Sequence, residues 1–141
     1  MKSLRTLLKI AERDLEELRR QMAALIGAQS QIENAIAGHD QTIAREQALA
    51  QQDYEASRLF GGYAAAALTR RRAMMSEHSV LSNEIERLRA LVSEAHIETR
   101  KFEHLIELDE KRARKLAEKR ENDELDDFAT MRAARVRPVT S

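Results

Sequence analysis

Residues 4–43 read LRTLLKIAERDLEELRRQMAALIGAQSQIENAIAGHDQTI. Apolar side chains return along this stretch in alternating steps of four and three. The series is Leu4, Leu8, Ala11, Leu15, Leu18, Met22, Leu25, Gln29, Ile32, Ile36, His39 and Ile43. Ten of these twelve are apolar, and the frame holds for nearly six heptads. A repeat of ~3.5 residues keeps one stripe of a helix turned toward a partner helix, so the stretch predicts a coiled-coil seam. Leu7, Ile10 and Ile26 widen that seam locally. Gly27 and Gly38 stand alone inside the pattern and read as helical positions where something packs closely.

A second series runs through His78, Leu81, Ile85, Leu88, Val92, Ala95, Thr99, Phe102, Ile106, Asp109, Ala113 and Leu116, and nine of its twelve members are apolar. Between the two, Leu59-Phe60-Gly61-Gly62-Tyr63 holds the only adjacent glycine pair. Glycine costs about 1 kcal/mol inside a helix and readily takes the left-handed conformation of a helix end. The expected organisation is therefore a single coiled-coil domain, 1–141: helix 3–59, turn 60–63, helix 64–135 and tail 136–141, with Pro138 ending the helix. Facing a positions against d positions permits antiparallel pairs whose residue numbers add to about 117 or about 124. A turn at Gly61-Gly62 selects the second. It sets Leu8 against Leu116, Leu18 against Ile106, Met22 against Phe102, Ile32 against Val92 and Ile36 against Leu88. The fold class that follows is all-α, two long helices in an antiparallel coiled-coil hairpin. The second helix is longer and overhangs from Glu124 to Arg135.

Composition agrees with an elongated helical protein. Charged residues make up 34% of the chain and aromatics only 4%, whereas a compact globule of this size buries several aromatics. Acidic and basic residues balance at 24 each, so no net field draws nucleic acid or an anionic membrane. No apolar run approaches the ~20 residues of a membrane span, and the N-terminal stretch is amphipathic rather than signal-like. The chain is expected in the cytoplasm, without direct insertion into the membrane.

Catalysis and cofactors find no support in the residues. There is no cysteine, no phosphate-cradling glycine loop and no HxxxH or HExxH spacing. His39 and His78 sit on the seams, where Gln29, Thr99 and Asp109 also lie; such polar residues fix register at some cost in stability. A two-helix scaffold offers carboxylates no cleft in which burial tunes them for acid–base work. The reading is a non-enzymatic chain with no metal and no cofactor.

Charge is blocked toward the C-terminus. Lys111, Arg112, Arg114, Lys115, Lys119 and Arg120 form a basic stretch around Glu118; Glu121, Asp123, Glu124, Asp126 and Asp127 form an acidic one; Arg132, Arg135 and Arg137 follow. Opposite-sign blocks on a projecting helix suit a docking end, and the acidic block argues against phosphate backbones. Phe128 lacks an intramolecular partner in the expected register. Tyr54, Phe60 and Tyr63 cluster by the expected turn, as a cap or a contact surface.

Both ends resemble the flagellar export protein FliJ family. The resemblance rests on Leu116-Ala117-Glu118-Lys119-Arg120, on Asp126-Asp127-Phe128-Ala129 with Arg132 and Arg135, and on Leu4-Arg5-Thr6-Leu7 with Ala11-Glu12. It covers about thirty residues, split between the two ends. It implies a two-helix stalk, similar to that of rotary ATPases, whose paired termini enter the ring of a hexameric export ATPase. It further implies that the hairpin end meets an export-gate membrane protein at the inner face of the cell membrane, and that free protein engages export chaperones. The positions it carries over for the ring end are Leu116, Glu118, Arg120, Asp127, Phe128, Ala129, Arg132 and Arg135. On the gate-facing side, where the family has aromatics, this chain offers Ala35, His39, Thr42 and Glu46, with Tyr63 the nearest match; Tyr54 and Phe60 complete the tip. The competing readings are a generic coiled-coil scaffold or adaptor that dimerises through exposed stripes, and a helical nucleic-acid binder using the basic blocks.

Overall fold

A computed structural model describes residues 2–136. It contains two helices, α1 (Lys2–Gln52) and α2 (Tyr54–Val136), joined at Asp53. The longer second helix and the antiparallel hairpin are as the two apolar series predict. The expected tail lies, from residue 137 on, outside the described residues.

All twelve positions of the first series are buried or half-buried, while Leu7, Ile10 and Ile26 are exposed. The seam therefore keeps to its a and d stripe. In the second series His78 through Asp109 are covered, with Ile85 at 4% and Leu88 at 2% exposure the most enclosed; Ala113 and Leu116 are exposed.

The turn lies elsewhere than expected. Residues 60–63 are helical, and the chain reverses at Asp53 instead. An alanine-rich continuation of the second seam explains why. Ala56, Phe60, Ala64, Ala67, Arg71 and Met74 are all buried or half-buried, so the stripe runs past the glycines, which face solvent. Two exposed glycines weaken a helix without breaking it when its other face is packed. At Asp53 the polar run Arg45-Glu46-Gln47 has already thinned the first seam, and the side chain supplies a cap. The Glu55 N–H donates to Asp53 Oδ1 at 3.1 Å, and the Ser57 N–H donates to the Asp53 carbonyl at 3.0 Å. That is an N-cap aspartate opening α2.

Moving the turn moves the register by two heptads. The chain divides into two compact units, Arg13–His96 and Met1–Glu12 with Ile97–Ser141. In the first, Gln29 donates to Ser82 Oγ at 2.8 Å, His78 meets Glu33 at 3.0 Å and Arg71 grips Asp40; each pair adds to 111. His39 and Ala67, at 2.9 Å, add to 106. In the second, Arg5 reaches Glu110 at 3.1 Å, a pair adding to 115. These values bracket 110, one heptad below the lower of the two sums the ladders permitted. The expected partners Leu8–Leu116, Leu18–Ile106, Met22–Phe102, Ile32–Val92 and Ile36–Leu88 are thus out of register. The heptad frames were right, but two ladders match equally well after any seven-residue slide, so the turn alone decides the alignment.

Nothing packs closely on Gly27 or Gly38, contrary to expectation: a Cβ added to either meets nothing within 4 Å.

Candidate partner-binding surfaces

The register fixes how much of α2 is left without a partner. Arg5 and Glu110 close the paired part of their unit, and Asp109 is the last half-buried residue of α2. Every residue from 110 through 136 is exposed. The unpaired segment was expected from Glu124; it starts about two heptads earlier, because a turn at Asp53 shortens α1 and lengthens α2. Leu116, Ala113 and the whole basic block, expected against α1, stand in solvent.

All eight positions carried over for the ring end fall in this segment and are exposed: Leu116, Glu118, Arg120, Asp127, Phe128, Ala129, Arg132 and Arg135. The segment also displays Leu125, Met131 and Val136, which the sequence reading missed. Phe128 is 65% exposed. Among the described residues no ion pair within 4 Å involves the basic or the acidic block. The side-chain hydrogen bond within the segment, from Thr130 Oγ1 to the Asp126 carbonyl at 2.8 Å, is local to the helix. The charges and apolar groups here are all available to something outside the chain.

A second surface lies in the unit Arg13–His96. Ala35, Gly38, His39 and Thr42 of α1 and Tyr63, Ala66 and Arg70 of α2 line an open groove of about 430 Å³. Small side chains on both helices leave the space, and Tyr63 forms one wall. Three of the four gate-facing positions, Ala35, His39 and Thr42, are brought together with Tyr63; Glu46 is not among the lining residues. Gly38, Ala66 and Arg70 were not foreseen, since finding them needs the correct register. The expected tip cluster separates. Phe60 and Tyr63 stack obliquely with ring centroids 6.2 Å apart, while Tyr54 sits alone at the first residue of α2, 78% exposed.

Polar residues bond across the two helices of this unit. His39 Nε2 lies 2.9 Å from the Ala67 carbonyl, which can only accept, so Nε2 carries the hydrogen. Arg71 donates twice to the Asp40 carboxylate, at 2.8 and 3.3 Å. The bidentate bond from Arg71 holds the Asp40 carboxyl below the usual carboxylate range. Gln29 and His78 likewise bond across to the other helix. Among the described residues no three His, Cys, Asp or Glu side chains converge on a point where a metal could sit, and no helix is long and apolar enough to cross a membrane.

A family model described as "Flagellar FliJ protein" matches residues 1–138. No curated protein and no solved structure matches the chain.

Proposed function

Since the chain belongs to the flagellar FliJ family, a non-catalytic component of the flagellar export apparatus, we propose that it is the stalk of the export ATPase. In this reading the unpaired part of α2 enters the ring of a hexameric ATPase. The groove around Tyr63 meets the membrane protein of the export gate, so the protein works in the cytoplasm at the inner face of the membrane. Free copies escort export chaperones.

The observation that carries the ring contact is the segment from residue 110 to 136, helical and wholly exposed, with Phe128 set between an acidic block and arginines. Helices in proteins draw most of their stability from packing, and this segment has none: it is held by its own propensity and by continuity with the paired part of α2. Mechanistically, one asymmetric helix inside a six-fold ring meets each subunit differently. Hydrolysis can then be coupled to the stalk's position through differential contacts, which is what a coupling free energy requires. The ring-end residues are Leu116, Glu118, Arg120, Asp127, Phe128, Ala129, Arg132 and Arg135. Phe128 acts as the apolar anchor and the charges as steering groups.

Truncation after Asp123 tests this. It removes no residue that packs on α1, so helicity per residue and Tm of the paired region should be retained while stimulation of the cognate ATPase is lost. Full stimulation by the truncated chain would refute the roles given to Asp127, Phe128, Ala129, Arg132 and Arg135 in the ring.

A further inference from the structure

The unpaired segment of α2 carries its charge in a particular order. Lys111, Arg112, Arg114, Lys115, Lys119 and Arg120 come first, and Glu121, Asp123, Glu124, Asp126 and Asp127 follow. A helix ordered in this way is complementary to itself run backwards. An antiparallel copy centred on the Arg120–Glu121 boundary sets each basic block opposite the other copy's acidic block, twice over. A parallel copy would set like charge on like.

We infer that the segment pairs antiparallel with the same segment of a second copy of this chain, forming a two-fold symmetric dimer through its charge blocks. The contact is isologous, so it closes at two copies and does not propagate. Three observations support it. All residues from 110 to 136 are exposed, no ion pair within 4 Å engages either block among the described residues, and Leu116, Leu125, Phe128 and Met131 provide apolar area along the segment. Exposed ion pairs are individually weak and screened by salt. The association is therefore reversible, concentration-dependent and salt-sensitive. It covers the same side chains proposed above for ring docking, so a dimer would be a stored form that opens when the ring competes for the segment. The pairing itself stands independently of that reading.

Sedimentation of the full chain tests it, with no ATPase present. At low salt the wild type should pass from monomer to dimer as concentration rises toward about 0.5 mM, and high salt should return it to monomer. Reversing the basic block (Arg112→Glu, Arg114→Glu, Lys115→Glu) or the acidic block (Glu124→Lys, Asp126→Lys, Asp127→Lys) should weaken self-association at least tenfold. Carrying both reversals in one chain should restore it, and mixing the two single-block variants should give a heterodimer. Circular dichroism of each variant checks that the helix persists. A wild type that stays monomeric throughout overturns the proposal. So does a dimer indifferent to block reversal, or one that neither the combined reversal nor mixing rescues.

Discussion

A Cβ built on Gly61 or Gly62 meets no atom within 4 Å, and neither residue has a positive φ. Both lie on the solvent side of α2, two turns after its start. Neither a turn nor a close approach requires glycine there, so replacing it removes a propensity penalty and introduces no clash. Gly61→Ala and Gly62→Ala should each stabilise the fold by about 1 kcal/mol, read as a rise in Tm on thermal melting followed by circular dichroism. A fall in Tm for either would mean that the backbone at that point is not helical. The polar residues of the seam behave differently. Gln29, His39 and His78 each reach across to a named group on the other helix, so their value lies in picking one alignment rather than in raw stability.

Alignment is a property of the helices as elements, and it can be measured directly because the chain has no cysteine. Gln29 and Ser82 face each other across the two helices, hydrogen-bonded at 2.8 Å, so Gln29→Cys with Ser82→Cys should be joined by a short, reducible thiol cross-linker. Gln29→Cys with Ala95→Cys, the partner in a register of 124, should not. Gel mobility with and without reductant separates the two, and the reverse result would restore a turn at the glycines. Within the elements, the sequence was legible where burial follows a period. All twelve members of the first ladder and ten of the second are covered. The reversal was not legible, because it depends on one capping aspartate in a polar stretch, a weaker signal than two adjacent glycines. Everything that depends on register inherited that error. The start of the unpaired segment was placed near 124 instead of 110, and the groove lined by Gly38, Ala66 and Arg70 could not be assembled from spacing. Asp127, Phe128, Ala129, Arg132 and Arg135 escaped it, since both registers leave them without a partner, whereas Leu116, Glu118 and Arg120 did not.

At the scale of the whole chain, the division that matters is between residues whose contacts are internal and those whose contacts must be external. Phe128 belongs to the second class, with 65% of its surface exposed on the segment of α2 from 110 to 136, where every residue is exposed. Its ring therefore contributes nothing to packing against α1, and its removal should leave Tm and helical content unchanged. In the proposed complex it becomes a buried aromatic among charged neighbours, the kind of group whose truncation commonly costs ~2 kcal/mol or more, about thirtyfold in affinity. Arg132 lies one turn further on and presents a charge at the edge of that contact, where water still competes for it. Phe128→Ala should thus weaken binding to the cognate export ATPase, and stimulation of its hydrolysis, by about thirtyfold, and Arg132→Ala by only a few-fold. Titrating each variant into the ATPase while following phosphate release gives both numbers. Equal small losses would place the anchor elsewhere on the segment. A larger loss for Arg132→Ala would mean that charge, rather than apolar burial, carries the contact.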